Sequence, residues 1–372
     1  VAYWTDETGE YQLKIHNTEN GTSQIVSNYS SGFRYAMFWS PDSKKIAFVD
    51  QTMAFQYFDL NTKQTIKIGE GRYLFHGGLN NYTFSWSSDS KWIAFTQENA
   101  NRNTSIYLFN TATKTSQKMT SGYYNDFSPT FDPDNKYLFF LTNRNISPAY
   151  SSLDNTFIYP NSTMIAAVPL TKSTDSPLKP KNDEVEVSEE KASDDENKKD
   201  KKKDGDADES VKIDLAAFEE RIVLLPVDPG NYGALEAVSG KVVFMQFPYT
   251  GSPENSSDVK YYDIEEREVK TIIGSINGGI EVSADGKKVA VANRGQYAIL
   301  DIAEGQKMDQ TIDLSNMQME VDPMAEWQQI FSDSWRFQRD YFYEKDMHGL
   351  DWNAIKEQYG KLISQCVTRW DV

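Results

Sequence analysis

One turn recurs along this chain, each time leading into an apolar run. Trp39-Ser40-Pro41-Asp42-Ser43-Lys44-Lys45-Ile46-Ala47-Phe48 returns as Trp86-Ser87-Ser88-Asp89-Ser90-Lys91-Trp92-Ile93-Ala94-Phe95. It returns again as Phe131-Asp132-Pro133-Asp134-Asn135-Lys136-Tyr137-Leu138 and as Val282-Ser283-Ala284-Asp285-Gly286-Lys287-Lys288-Val289. A weaker copy is Ser239-Gly240-Lys241-Val242-Val243-Phe244. Asp42, Asp89 and Asp134 lie 47 and 45 residues apart, the length of one four-stranded propeller blade. Proline presets φ in such a turn, and the aspartate can bond backbone two residues on. The aromatic and β-branched run after the turn reads as the buried inner strand of a blade.

A second element follows: an alternating strand, a polar turn and another strand. It occupies 55–68, 106–119, 259–272 and 297–308, and 11–25 carries it without the preceding turn. Blades are therefore predicted at 1–27, 33–69, 80–119, 124–227, 232–273 and 278–313, the first without its inner strand. An incomplete ring leaves an apolar wall exposed, so residues upstream and a total of six or seven blades are expected. The predicted fold is all-β: a six- or seven-bladed β-propeller over residues 1–321, incomplete at its N-terminus, followed by an α-helical segment.

The fourth blade carries an acidic insertion at about 172–212. Residues 183–209 hold 13 Asp or Glu and 6 Lys with no aromatic residue, so they cannot bury enough apolar area to offset ordering entropy. Disorder is expected there. Asp204-Gly205-Asp206-Ala207-Asp208 lacks the full calcium-loop pattern and its bidentate Glu. From residue 322 the apolar period changes to that of a helix. Asp322-Pro323 is a helix start, and Trp327, Ile330, Phe331, Trp335 and Phe342 form a stripe. Asp351 caps a second helix with Trp352, Ile355, Tyr359, Leu362, Ile363 and Cys366 on one face. This start of a helical domain, 322–372, needs a partner for its apolar faces.

A net charge of −17 argues against nucleic acid or anionic lipid as a partner. No stretch approaches the 18 or so apolar residues of a membrane span, so no membrane insertion is expected. Cys366 is the one cysteine, read as a structural thiol on an apolar helix face. His16 reads as structural, His76 as a residue of an inter-blade loop with a place in the central channel as the alternative, and His348 as part of a helix–turn contact. Arg144 is either a channel residue or an ordinary solvated turn. No nucleophile elbow, phosphate loop, HExxH or paired-carboxylate signature occurs. The sequence thus nominates no catalytic, cofactor-binding or metal-ligating residue and leaves substrate-binding residues undefined.

The segments Glu326-Trp327-Gln328-Gln329-Ile330-Phe331, Trp335-Arg336-Phe337-Gln338-Arg339-Asp340-Tyr341-Phe342-Tyr343 and Met347-His348-Gly349-Leu350-Asp351-Trp352 resemble the propeller-to-helix junction of tricorn-type proteases. Arg221-Ile222-Val223-Leu224-Leu225, continuing through Pro226-Val227-Asp228-Pro229-Gly230-Asn231-Tyr232, is similar to the same family. The resemblance covers nearly the whole chain, and the acidic insertion is similar to bacterial homologues more than to the compact archaeal form. It implies a cytoplasmic serine peptidase that degrades oligopeptides, with export left open, and with PDZ and second catalytic domains in the same full-length chain. It also implies a homo-oligomer, peptide substrates and a propeller that filters them. The family's catalytic His and Ser are expected beyond Val372, so this segment alone is expected to be inactive.

Two other readings stay open. A non-catalytic binding propeller of envelope translocation systems explains the blades but not the helices after 322. A prolyl-oligopeptidase relative should show a strand and a Gly-x-Ser-x-Gly elbow soon after its propeller.

Overall fold

The computed structural model describes residues 1–73, 78–151, 153–154, 156–181 and 210–372. His76, the 183–209 run and its Asp204–Asp208 motif lie outside the described residues.

The repeated turn works through its side chains. Ser40 Oγ donates to Asp42 Oδ1 at 2.5 Å, Lys44 N donates to the same oxygen at 3.0 Å, and Lys45 N donates to Ser40 Oγ at 2.9 Å. The same bonds recur around Ser87–Asp89 and Ser283–Asp285. In the third copy Asp132 replaces the serine and accepts from Asp134 N and Lys136 N. The residue after each aspartate, Ser43, Ser90, Asn135 and Gly286, has φ between 54° and 67°. Small polar residues and glycine tolerate that conformation. Four copies therefore fold alike because each closes its own hydrogen bonds locally.

Each turn joins the first strand of a sheet to the second. Four sheets have four strands in sequence order. They start at Arg34–Trp39, Phe84–Trp86, Asp126–Phe131 and Asn231–Val238 and end at Gln64–Glu70, Thr115–Lys118, Val223–Leu224 and Glu268–Ile276. The first sheet (Ala2–Thr5, Gln12–His16, Ser23–Ile25) and the sixth (Ile280–Val282, Lys288–Asn293, Gln296–Asp301) have three strands. All neighbours pair antiparallel. These six sheets are the blades of a β-propeller.

The run after the turn is the second strand of its sheet, not the innermost. Lys45–Asp50 and Tyr137–Thr142 are buried because both faces pack on neighbouring blades. The strand before the turn is innermost, since the first strands of sheets two to five touch one another. Five apolar cores separate successive sheets, and Phe48, Phe95, Phe139 and Phe244 are fully buried in them. Each such side chain contributes about 1.5–3 kcal/mol relative to exposure.

Antiparallel order gives the ring two faces. The repeated turns and the described ends of the acidic insertion, 172–181 and 210–212, share one of them. Second-to-third-strand loops and blade-to-blade loops share the other, where a small hairpin (Ala149–Tyr150 with Phe157–Ile158) also stands. The described ends of the insertion are packed. Val211 is buried in the core between sheets three and four, with its N–H on Asp89 Oδ2, and Lys181 Nζ donates to Glu265 O.

Helix α1 (Pro323–Tyr341) starts at Asp322, whose carboxylate accepts from Met324 N and Ala325 N. Helix α2 (Trp352–Gly360) is shorter than the predicted stripe. Leu362, Ile363 and Cys366 follow it in and around a 3-10 turn at Ile363–Gln365. Trp335 Nε1 donates to Trp352 O and Trp352 Nε1 to Trp335 O, which locks the helices together. Tyr359 and Leu362 remain half exposed.

Candidate functional site

The innermost strands carry a repeated irregularity. Register slips between Tyr35 and Met37, Phe127 and Thr130, and Gly233 and Glu236. Ala36, Ser128 and Ala234 sit at these bulges with φ of 23°, 50° and 47°. A bulge breaks the ladder and re-aims side chains. Here it turns small residues toward the axis, around a cavity of about 140 Å³ lined by residues from four innermost strands, among them Phe38, Thr83, Ser128, Ala234 and Glu236.

Glu236 and Glu281 put two carboxylates on the innermost strands of neighbouring blades. Enclosure by the strands and the negative charge of Glu281 push the Glu236 carboxyl up to about 7. Its side chain is still exposed, so solvent screens part of that effect.

Helix α1 lies over the loop face beside the first blade. Arg336, 3% exposed, donates to Gly9 O at 2.9 Å and pairs with Asp6 and Asp333. Arg339 holds Glu10 with two bonds of 2.6 and 3.0 Å. Phe33 packs on Phe337 and Tyr341, and the Tyr35 and Tyr341 hydroxyls bond. The helix face outside the 3.6-residue apolar stripe is thus a docking surface.

The individually considered residues fall elsewhere. His16 Nδ1 bonds Ser23 Oγ at 2.8 Å on an exposed strand, with no carboxylate bonded to the ring among the described residues. His348 bonds the Tyr343 hydroxyl through Nε2 and packs on Phe342. Cys366 is half-buried, its Sγ 3.6 Å from Leu362 O. Arg144 is neither a channel residue nor a solvated turn. It pairs with Asp126 at 2.9 Å and Glu219 at 3.0 Å and lies over the Tyr124 ring. Burial raises the Asp126 carboxyl despite its bonds from Thr142 and Arg144. Glu236, Glu281, Arg336 and Arg339 were not singled out from sequence. For the carboxylates the available signal was a charged residue in an otherwise apolar first strand.

Comparison with known proteins adds to this geometry. The family described as tricorn protease second beta propeller domain matches residues 1–303. The chain belongs to the tricorn protease family. Residues 323–372 match the tricorn protease C1 domain. The chain is 25% identical over 307 residues to tricorn protease homolog 1 of Streptomyces coelicolor, covering 77% of this chain and 28% of that protein. It is 25% identical over 304 residues to the tricorn protease of Thermoplasma volcanium, covering 78% of this chain and 27% of that one. A crystal structure of the tricorn protease aligns over 100% of this chain and 35% of its own with a TM-score of 0.79 and 19% identity, a likeness of fold. The chain therefore spans roughly a quarter to a third of these tricorn relatives, and it is a propeller of a peptidase family. Among the described residues no helix is long and apolar enough to cross a membrane.

Proposed function

We propose that this tricorn-family propeller admits extended peptide segments through its axial channel to a serine peptidase centre elsewhere in a longer chain. In this reading the catalytic His and Ser and a PDZ domain belong to that longer, cytoplasmic, homo-oligomeric protein. The observation that carries the reading is the position of α1. The segment matching the family's C1 domain rests on the loop face of the ring, on the first blade's Asp6, Glu10 and Tyr11. A narrow channel lined by small, polar and aromatic side chains suits an unfolded chain and excludes a folded one. Acyl transfer needs a nucleophile, base and oxyanion donors in contact. Among the described residues the exposed His16–Ser23 pair has no third member, so the 372-residue chain is expected to show no peptidase turnover by itself.

The test narrows the channel in the full-length enzyme. Thr83→Trp with Glu236→Trp should lower kcat/KM on a long unstructured peptide by about tenfold or more, a barrier of about 1.4 kcal/mol. Unchanged cleavage by a variant of unaltered thermal midpoint would remove the channel from the substrate path.

A further inference from the structure

Off the loop-face end of the channel, between the third and fourth blades, lies a recess of about 190 Å³. Its walls include Tyr73, Tyr82, Phe127, Ser128 and Thr96, with Glu98 within. The topology brings them together at one height. Glu98 ends the second strand of the third sheet, Tyr82 precedes its first strand, and Phe127 and Ser128 lie near the start of the fourth sheet's first strand. Thr83 and Ser128 line both the recess and the axial cavity, so the two adjoin.

Glu98 is the unusual member. It is 8% exposed, yet its carboxylate accepts only from the Tyr82 hydroxyl at 2.9 Å and Arg72 N at 3.0 Å. Among the described residues no lysine or arginine forms an ion pair with it. A buried carboxylate without a cation is costly, and two bonds leave acceptor capacity on its oxygens. The Thr96 hydroxyl on the same wall is buried without a partner. Aromatic walls with a carboxylate among them suit an alkylammonium or guanidinium group, through ring faces and a charge-assisted hydrogen bond. Glu236 and Glu281, on other blades, independently make the adjoining channel favourable to cations.

We propose that this recess is a side-chain pocket for a lysine or arginine of a peptide lying in the channel, held by Glu98. The proposal rests on the channel reading and adds a substrate class to it.

Binding to the 372-residue chain tests it, by fluorescence anisotropy with N-acetylated pentapeptides carrying either lysine or norleucine at the centre. The lysine peptide should bind about tenfold more tightly, the scale of one charge-assisted hydrogen bond. Glu98→Gln, which keeps an acceptor for Tyr82, should bring it to the norleucine level, while Glu304→Gln on the exposed surface should not. Equal binding of the two peptides to the unaltered chain would overturn the pocket and leave the channel reading standing. A preference that survives Glu98→Gln, or that Glu304→Gln reduces as much, would also overturn it. Binding of neither peptide would remove both.

Discussion

Arg336 carries more of the contact between helix and ring than its position on a polar helix face suggests. Its guanidinium is buried between Asp6 and Asp333 and reaches Gly9 O, although its Nε finds no partner. Removing one member of such a buried set leaves the other charges stranded. Arg336→Ala should cost about 3–5 kcal/mol in urea denaturation, and a loss under 1 kcal/mol would mean that the set is solvated. Glu236 has the opposite logic. Its folded-state value of about 7 stands above the ordinary 4.5, so the folded chain binds the proton more tightly than the unfolded one. The stabilisation is complete below about 4.5 and is lost as pH rises through 7. Glu236→Gln removes this dependence. Its thermal midpoint relative to the unaltered protein should therefore rise between pH 4.5 and pH 8, and a constant difference would refute the shift.

Among elements, α1 joins two scales of interaction. Its start depends on Asp322, whose carboxylate accepts two N–H groups in the first turn. Asp322→Ala should destabilise the helix by about 1 kcal/mol. Because α1 docks on residues 6–11, the loss should also speed hydrogen exchange in Ala2–Thr5 and Gln12–His16. Unaltered exchange in those strands would show that the first blade stands without the helix. The start of this helix was legible as Asp-Pro, and its apolar stripe correctly included the buried Trp327 and Trp335. The end of α2 was not, since Leu362, Ile363 and Cys366 keep helical spacing past Gly360 although the chain turns there.

For the molecule as a whole, the division into two faces separates the described ends of the acidic insertion from the helix-bearing rim. Those ends are held by Val211 in the core and by Lys181 on the fifth sheet. Deleting 183–209 spares those contacts, and loop closure changes slowly with length. The thermal midpoint should stay within a few degrees, and peptide binding at the opposite face should be unaltered. A large fall in either would mean that the segment packs or reaches the channel.

The propeller fold and its recurring turns could be read directly, although the count was left at six or seven, because each Ser–Asp turn satisfies its own bonds within six residues and each strand alternates about a local period. Asp42, Asp89, Asp134 and Asp285 consequently stand at equivalent turns in four blades. The strand after the turn was read as a buried inner strand, and it is the second of its sheet. Apolar runs report burial, and the second strand, covered on both faces by neighbouring blades, is more buried than the axial one. The channel carboxylates, the recess at Glu98 and the buried Arg336 were decided only by tertiary packing of the blades and the helix. Their partners come from other blades or from a helix more than 300 residues away. No local spacing can carry a juxtaposition that exists only after distant elements have packed.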